Sequence, residues 1–147
     1  MTKRSRAREV ALQLLFQFDM NPDVPRHIIE RFVRDRLGDV AVVPFCLGLY
    51  DGTVLHRREI DAKLTVAADN WRLVRMTCVD RNVLRLGVHE LLHAGDETPT
   101  AVALDEAIEL ARRYGSKDSP AFVNGVLDKI NKARATEPPV TEPANSP

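Results

Sequence analysis

The residues with the clearest chemical potential are His89, Glu90 and His93, which form the pattern H-E-x-x-H. On a helix, two histidines four residues apart can ligate zinc while the intervening glutamate acts as a general base. A catalytic zinc also needs a third protein ligand, for which Glu106 and Glu109 in the next segment are candidates. The pattern therefore raises a zinc-dependent hydrolase as one hypothesis.

The helix that would carry these histidines argues against that hypothesis. Residues 77–93 are strongly periodic, and apolar side chains such as Val88 and Leu91 define a buried face. At about 100° per residue, His89 and His93 fall on the opposite side of the helix, where we expect solvent. We interpret the pattern as a chance match and predict no catalytic residue and no bound metal.

Other signals of catalysis are missing from the sequence. We recognise neither a glycine-rich phosphate-binding loop nor a nucleophile paired with a base, and we expect no cofactor. The two cysteines, Cys46 and Cys78, stand alone without metal-ligand spacing, so we expect reduced thiols. These observations favour a binding protein over an enzyme.

The composition is typical of a globular protein. A chain of 147 residues, 44% hydrophobic and 29% charged, is expected to form one domain with its own core. No apolar run approaches the roughly 20 residues of a membrane helix. The basic N-terminus lacks a cleavage site, so we expect a cytoplasmic protein. Because the net charge is zero, binding to nucleic acid would require a local basic patch.

One such patch lies at the N-terminus. Its cations are Lys3, Arg4, Arg6 and Arg8. Residues 5–20 carry apolar side chains at helical spacing, and Phe16 lies beside this stripe, either in the core or facing a partner. The cations are interpreted either as a solvated, frayed terminus or as contacts for RNA phosphates.

A second candidate surface begins near residue 118. Ser119 is suited to cap a helix, and Pro120 is suited to its first turn. Within this helix Asn124 and Gly125 interrupt the apolar spacing, and a helical glycine costs roughly 1 kcal/mol relative to alanine. We interpret Gly125 as close packing against another helix, with a backbone that faces a ligand as the alternative.

The rest of the chain also shows helical patterns. Helices are predicted at residues 26–37, ending at Gly38, and at residues 98–115, where Thr98 is the expected cap. Residues 45–66 are ambiguous. No alternation typical of strands competes with these patterns, so the predicted fold class is all-α, with two helical halves.

Two further features concern the chain's organisation. Asn70 is a candidate cap for a short helix that begins at Trp71. The proline-rich residues 135–147 have almost nothing to bury, so they are predicted to form a disordered tail after a domain at residues 1–134.

Three blocks of sequence are specific enough to compare with known proteins. The first is Arg6-Ala-Arg-Glu at the start of the first helix, and the second is VDRNVLRLGVHEL at residues 79–91. The most specific is AVALDEAIELARRYGSKDSPAFVNGVLDK at residues 101–129. Together they resemble the NusB family of transcription antitermination factors, and the resemblance spans residues 3–130.

The resemblance implies two small helical bundles packed into one compact domain that binds RNA without catalysis. It implies pairing with NusE, a ribosomal small-subunit protein, and binding of the pair to boxA in single-stranded leader RNA. The complex then joins other Nus factors on RNA polymerase and suppresses termination, chiefly in ribosomal RNA operons. Some members form homodimers that cover the RNA surface, so a homodimer is an alternative to the monomer.

The resemblance also implies two surfaces on this chain. The residues expected at RNA are Lys3, Arg4, Arg6, Arg8, Asp118, Ser119 and Phe122. Phe16 and Asp80 match positions that face NusE. Arginines suit phosphates, aromatic side chains stack on unpaired bases, and helix N-termini favour anions. The alternatives are the zinc hydrolase and a helical protein-interaction domain without RNA binding.

Overall fold

Helices make up the architecture of the chain. The computed structural model describes residues 1–69 and 73–136, and within these ranges it contains α-helices, two short 3-10 turns and no β-strand. The helices are α1 (Lys3–Met20), α2 (Arg26–Leu37), α3 (Val43–Leu55), α4 (Arg57–Ala67), α5 (Cys78–His93), α6 (Thr100–Tyr114) and α7 (Ser119–Thr136). The predicted all-α fold class is confirmed. None of the described helices is long and apolar enough to cross a membrane.

The helices form two bundles, as predicted. Helices α1, α2 and α3 pack together in the N-terminal half, and α4 to α7 pack together in the C-terminal half. Helix α5 also contacts α1 and α3, so it lies at the junction of the bundles. Every residue from Asn82 to Leu91 is buried because neighbouring helices cover both faces of α5. The expectation that one side of this helix faces solvent is therefore wrong over these residues.

Of two helix ends predicted from the sequence, the end of α2 is confirmed and the cap of α6 is wrong. Gly38 ends α2 in the left-handed conformation, with a φ of 67°, as predicted. Thr98 does not cap α6, which begins at Thr100 after Pro99. The Thr98 side chain is instead buried, and its Oγ1 lies 3.4 Å from Nη2 of Arg8. Tertiary contact has thus replaced the expected local cap.

The ambiguous stretch at residues 45–66 divides into α3 and α4 at His56. The candidate cap Asn70 lies outside the described residues. At the other end of the chain, α7 continues through Ala135 and Thr136, beyond the predicted domain boundary. The remaining residues of the predicted tail also lie outside the described ranges.

Gly125 contradicts the expectation of close helix packing. It is exposed, and a Cβ built on it would meet no neighbour within 4 Å. Close approaches occur at three other glycines, Gly52, Gly87 and Gly115. A Cβ on Gly87 would lie 3.0 Å from the Leu127 side chain, and one on Gly52 would overlap the imidazole of His89. Asn124 and Gly125, which interrupt the apolar spacing of α7, therefore lie on its outer face, where core packing does not require glycine.

Candidate nucleic-acid and partner interface

The start of α1 presents the predicted basic patch. Thr2 caps the helix, and its Oγ1 accepts a hydrogen bond of 3.0 Å from the Ser5 N–H. This cap fixes the first turn at the surface, where Lys3 and Arg4 are exposed and Arg6 is partly exposed. Arg8 lies one turn after Arg4 in the same helix. At this point the rest of the protein covers α1, so Arg8 lies in the core.

Arg8 is not at the surface, so its expected role as an exposed phosphate contact is corrected. Its side chain is 2% exposed and binds the equally buried carboxylate of Glu90 through two hydrogen bonds of 2.7 and 2.9 Å. A second carboxylate, that of Glu106, lies 3.8 Å from Nη1. The guanidinium is occupied by protein carboxylates, so Arg8 positions α1 against α5.

Two of the remaining cations are also paired with acids. Nζ of Lys3 lies 2.7 Å from Oδ2 of Asp39, although the lysine side chain remains 76% exposed. Nη1 of Arg6 donates to Oε2 of Glu9 at 2.9 Å. An exposed pair such as Lys3–Asp39 is weak, so a phosphate can compete for Lys3 more readily than for Arg8. The Arg6–Glu9 pair is different, because the Glu9 side chain is only 5% exposed.

Arg4 has different surroundings. Its Nη1 donates to the backbone carbonyl of Glu97 at 3.0 Å, and its Cζ lies 4.5 Å from the ring centroid of Phe45. Within the described residues, Arg4 is the one cation of the basic patch without a carboxylate partner. Its positive charge is therefore the least compensated at the start of α1.

The second predicted RNA surface lies where α7 begins. Asp118 is exposed, and its backbone carbonyl accepts a 3.1 Å hydrogen bond from the Phe122 N–H. Phe122 is half-buried and packs against the core. Ser119 is corrected on two counts, because it is 1% exposed and its Oγ accepts from the Ser116 N–H rather than capping α7. Ser119 therefore shapes the preceding turn and has no free surface for RNA.

An ion pair brings these two surfaces to the same end of the molecule. Nη1 of Arg113, in the last turn of α6, lies 2.6 Å from Oε1 of Glu9 in α1. Asp118 follows this helix end by only a few residues. The turn between α6 and α7 is thus held close to the first turns of α1.

The H-E-x-x-H pattern is built into the core rather than into a metal site. His89 is buried, contrary to expectation, and Glu90 is held by Arg8, so it is not available as a general base. The rings of His56 and His93 stack with centroids 3.7 Å apart, and both lie 5.8 Å from the His89 ring. Across the described part of the chain, no group of three His, Cys, Asp or Glu side chains could hold a metal.

The electrostatic state of this histidine cluster follows from burial. Burial lowers the pKa of His89 to about 4, with further contributions from the charges of His93 and His56. At neutral pH its imidazole is therefore uncharged. Gly52 makes room for the ring, and Nδ1 finds no hydrogen-bond partner among the described residues.

The predicted partner residues lie near the other end of α1. Phe16 is half-buried against the core, and Asp80 is partly buried near the start of α5, with an Oδ1 that has no partner in the described ranges. Met20 and Val74 expose 84% and 80% of their surface. Exposed apolar side chains beside a half-buried aromatic residue are typical of a protein interface.

Asp19 connects α1 to α5 at this end. Its carboxylate accepts hydrogen bonds from Asn82 at 2.8 Å and from Arg81 and Arg85 at 3.1 Å. Burial raises the pKa of Asp19, but the hydrogen bonds from Asn82 and Arg81 and the charge of Arg85 outweigh it. The pKa therefore lies below its usual value. Asp19 stays ionised and holds the end of α1 against α5, beside the predicted partner residues.

The sequence did not reveal three residues of these surfaces. Phe45, Glu97 and Asp19 each act through partners distant along the chain, and nothing in their local pattern distinguishes them. The sequence contains one signal for Asp19, which is the position of this acid directly after the apolar stripe of α1.

Comparison with known proteins decides the family. Residues 5–132 match the model of the NusB family. The chain belongs to the NusB family. The transcription antitermination protein NusB of Elusimicrobium minutum is 41% identical over 136 residues, which cover 91% of this chain and 96% of that protein. The expectation of a non-catalytic transcription antitermination factor is confirmed, and the zinc hydrolase is not supported.

Solved structures of NusB proteins share the fold. T. maritima NusB superimposes with a TM-score of 0.77 at 36% identity, covering 90% of this chain and 92% of that one. A structure of antitermination factors NusB and NusE in complex with dsRNA gives a TM-score of 0.79 at 28% identity, covering 90% and 98%. In that structure, the NusB fold is therefore found with both a protein partner and RNA.

Proposed function

We propose that this NusB-family protein pairs with NusE, binds boxA-type single-stranded leader RNA, and suppresses termination, chiefly in ribosomal RNA operons. The observation that carries the proposal is the uncompensated charge of Arg4, which lies over an aromatic ring at the exposed start of α1. A cation beside an aromatic side chain suits a phosphate next to an unpaired base. The NusB and NusE complex with dsRNA supports RNA and NusE as partners.

The proposed RNA surface divides into contacts and supports. Arg4, Lys3 and Arg6 supply charge, and Lys3 exchanges its weak exposed pair with Asp39 for a phosphate. At the start of α7, Asp118 and Phe122 form the rim. The two buried residues of the predicted set support this surface from beneath. These are Arg8 and Ser119.

The proposed NusE surface lies around Phe16 and Asp80. Phe16 has apolar neighbours at the surface, including Met20 one turn later, and Asp80 brings a carboxylate oxygen that lacks an intramolecular partner. A half-buried aromatic residue and an unpaired polar atom are each suited to a specific protein contact. We propose that the complex forms in the cytoplasm and then joins other Nus factors on RNA polymerase.

The test is a titration of fluorescent boxA-type RNA with the protein, with and without NusE, at several salt concentrations. Each phosphate contact is expected to contribute about −0.7 to the slope of log K against log salt for a single strand. The variant Arg4→Gln should weaken binding several-fold and reduce the slope by about one contact. Arg31→Gln, at an exposed position on α2, removes the same charge and should change neither quantity.

Three outcomes separate the hypotheses. An absence of RNA binding with NusE at low salt would refute the proposed function. Binding to NusE without any effect of RNA would instead support the helical protein-interaction domain. Equal losses in Arg4→Gln and Arg31→Gln would show a general charge effect and would reject Arg4 as a local contact.

A further inference from the structure

A hollow of about 490 Å³ opens beside Arg4, between α1, α3 and α5. Its wall includes Arg4, Phe45, Gly48, His89, His93 and Glu97. The hollow thus adjoins the uncompensated cation of the RNA surface, yet none of its residues apart from Arg4 belongs to the expected RNA contacts. A strand that places a phosphate at Arg4 would bring the adjoining nucleotide to its mouth.

Gly48 leaves one side of this hollow open. The residue is exposed on α3, and a Cβ built on it would meet no neighbour within 4 Å. Glycine inside a helix is unfavourable by roughly 1 kcal/mol relative to alanine. Internal packing does not explain Gly48, whereas it does explain Gly52 one turn later, which accommodates His89. The missing side chain preserves the open volume.

The lining suits a planar, uncharged ligand better than an anion. The Arg4 guanidinium lies over the Phe45 ring, 4.5 Å from its centroid, and Cζ of Arg8 lies 5.2 Å from the same centroid. The planar surface offered to a ligand is therefore the outer face of the Arg4 guanidinium. His89 is neutral at physiological pH, so it offers no positive charge to an anion. Nδ1 of His89 is buried without a partner among the described residues, so the wall retains unused hydrogen-bonding capacity.

We infer that this hollow receives one nucleobase of the bound RNA, stacked on the Arg4 guanidinium where it lies over Phe45, while a neighbouring phosphate pairs with Arg4. Unpaired bases commonly stack on aromatic rings or guanidinium planes and hydrogen-bond through their edges. The inference rests on the proposed RNA-binding function and adds a binding pocket to it.

The test fills the hollow at Gly48 without disturbing the core. Gly48→Leu projects a side chain into open volume, and Gly48→Ala makes the same backbone change with little filling. Both should fold at least as stably as the original protein, because both residues favour helices more than glycine does. We expect Gly48→Ala to bind boxA-type RNA with NusE normally and Gly48→Leu to bind about tenfold more weakly, as for the loss of one stacked base.

The salt dependence distinguishes a lost base from a lost phosphate. If leucine only displaces Arg4, the slope of log K against log salt will fall by about 0.7. If the base is excluded, affinity will fall while the slope stays unchanged. A second readout uses 2-aminopurine placed at each RNA position in turn. One position should show quenched fluorescence with the original protein and recover it with Gly48→Leu.

These experiments distinguish failure of the base pocket from failure of the proposed RNA-binding function. If the original protein and NusE bind no RNA, both the function and the pocket are rejected. If the original protein binds and Gly48→Leu binds as tightly as Gly48→Ala, the pocket alone is rejected. A reduced salt slope for Gly48→Leu would likewise reject base binding and assign the loss to Arg4.

Discussion

Arg4 and Arg8 occupy the same face of α1 one turn apart, yet they meet opposite surroundings. Arg4 lies at the surface over Phe45, whereas Arg8 is buried against Glu90. The sequence presents both as members of one basic patch. Their difference could not be predicted locally, because it depends on a carboxylate 82 residues away along the chain. Charge removal across the whole patch would therefore mix loss of the proposed RNA contacts with damage to the fold.

The buried pair leads to a stability prediction. Arg8→Ala would leave the Glu90 carboxylate buried without its main partner, and such changes commonly cost about 3 to 5 kcal/mol. We expect a loss of this size in the free energy of unfolding, measured by chemical denaturation. The double variant Arg8→Met with Glu90→Leu should lose less, since no charge remains unpaired. Equal losses in the two variants would contradict this account.

His89 gives a prediction about pH. Its pKa is lowered from 6.5 to about 4 in the folded protein, so the unfolded chain binds more protons between these values. The free energy of unfolding should therefore rise with pH in this window and fall on acidification, with a slope of at most about 1.4 kcal/mol per pH unit. The contribution is complete above about pH 6.5.

The measurement is chemical denaturation between pH 4 and pH 7.5, compared with two variants. His89→Met should remove part of the slope, and His27→Gln, at an exposed position on α2, should leave it unchanged. His56, His93 and Glu59, the titratable groups that face His89 in this cluster, are present in both variants. An unaltered slope in His89→Met would reject the assignment to His89.

At the scale of helices, Gly52 and Gly125 make a matched pair with opposite surroundings. A methyl group at Gly52 would overlap the His89 ring, so Gly52→Ala should destabilise the protein by about 1 to 3 kcal/mol. A methyl group at Gly125 meets open space, so Gly125→Ala should stabilise it by up to about 1 kcal/mol. Thermal denaturation of the two variants checks both signs. Stabilisation in both variants would show that helix propensity alone decides, and destabilisation in both would reject the prediction for Gly125.

Helix existence was largely predictable, whereas the burial of helix faces was not. The apolar spacing in α1 and α2 and the terminal Gly38 are local signals, and the structure agrees with them. The second face of α5 becomes buried through contacts with α1 and α3, which the local period of α5 does not encode. For the same reason His89 was expected in solvent and Ser119 at a helix cap, although both are buried.

At the scale of the whole molecule, α1 and α5 form the seam that unites the two bundles. The buried Arg8–Glu90 pair lies near one end of the seam, and the Asp19 hydrogen bonds lie near the other. The proposed RNA surface adjoins the first and the proposed partner surface adjoins the second. The relative position of these surfaces is therefore set by the register of one helix against another.

The seam yields a prediction that concerns both bundles. Asp19→Ala removes the shared acceptor of Asn82, Arg81 and Arg85, which should cost about 1 to 3 kcal/mol because a mostly buried donor loses its partner. Asp35→Ala, at an exposed acid in the last turn of α2, should be nearly neutral. Chemical denaturation measures the difference, and comparable effects in the two variants would contradict a special role for Asp19.

The distance along the chain between Arg8 and Glu90 also has a consequence for folding during synthesis. At about 5 to 20 residues per second, Glu90 leaves the peptidyl transferase centre roughly 4 to 16 seconds after Arg8. Helices α1, α2 and α3 therefore emerge from the ribosome first. At that stage Arg8 is still exposed to water, on a face of α1 that is buried in the folded protein. The N-terminal bundle can reach its native packing only after α5 arrives, so the two halves are expected to complete folding together.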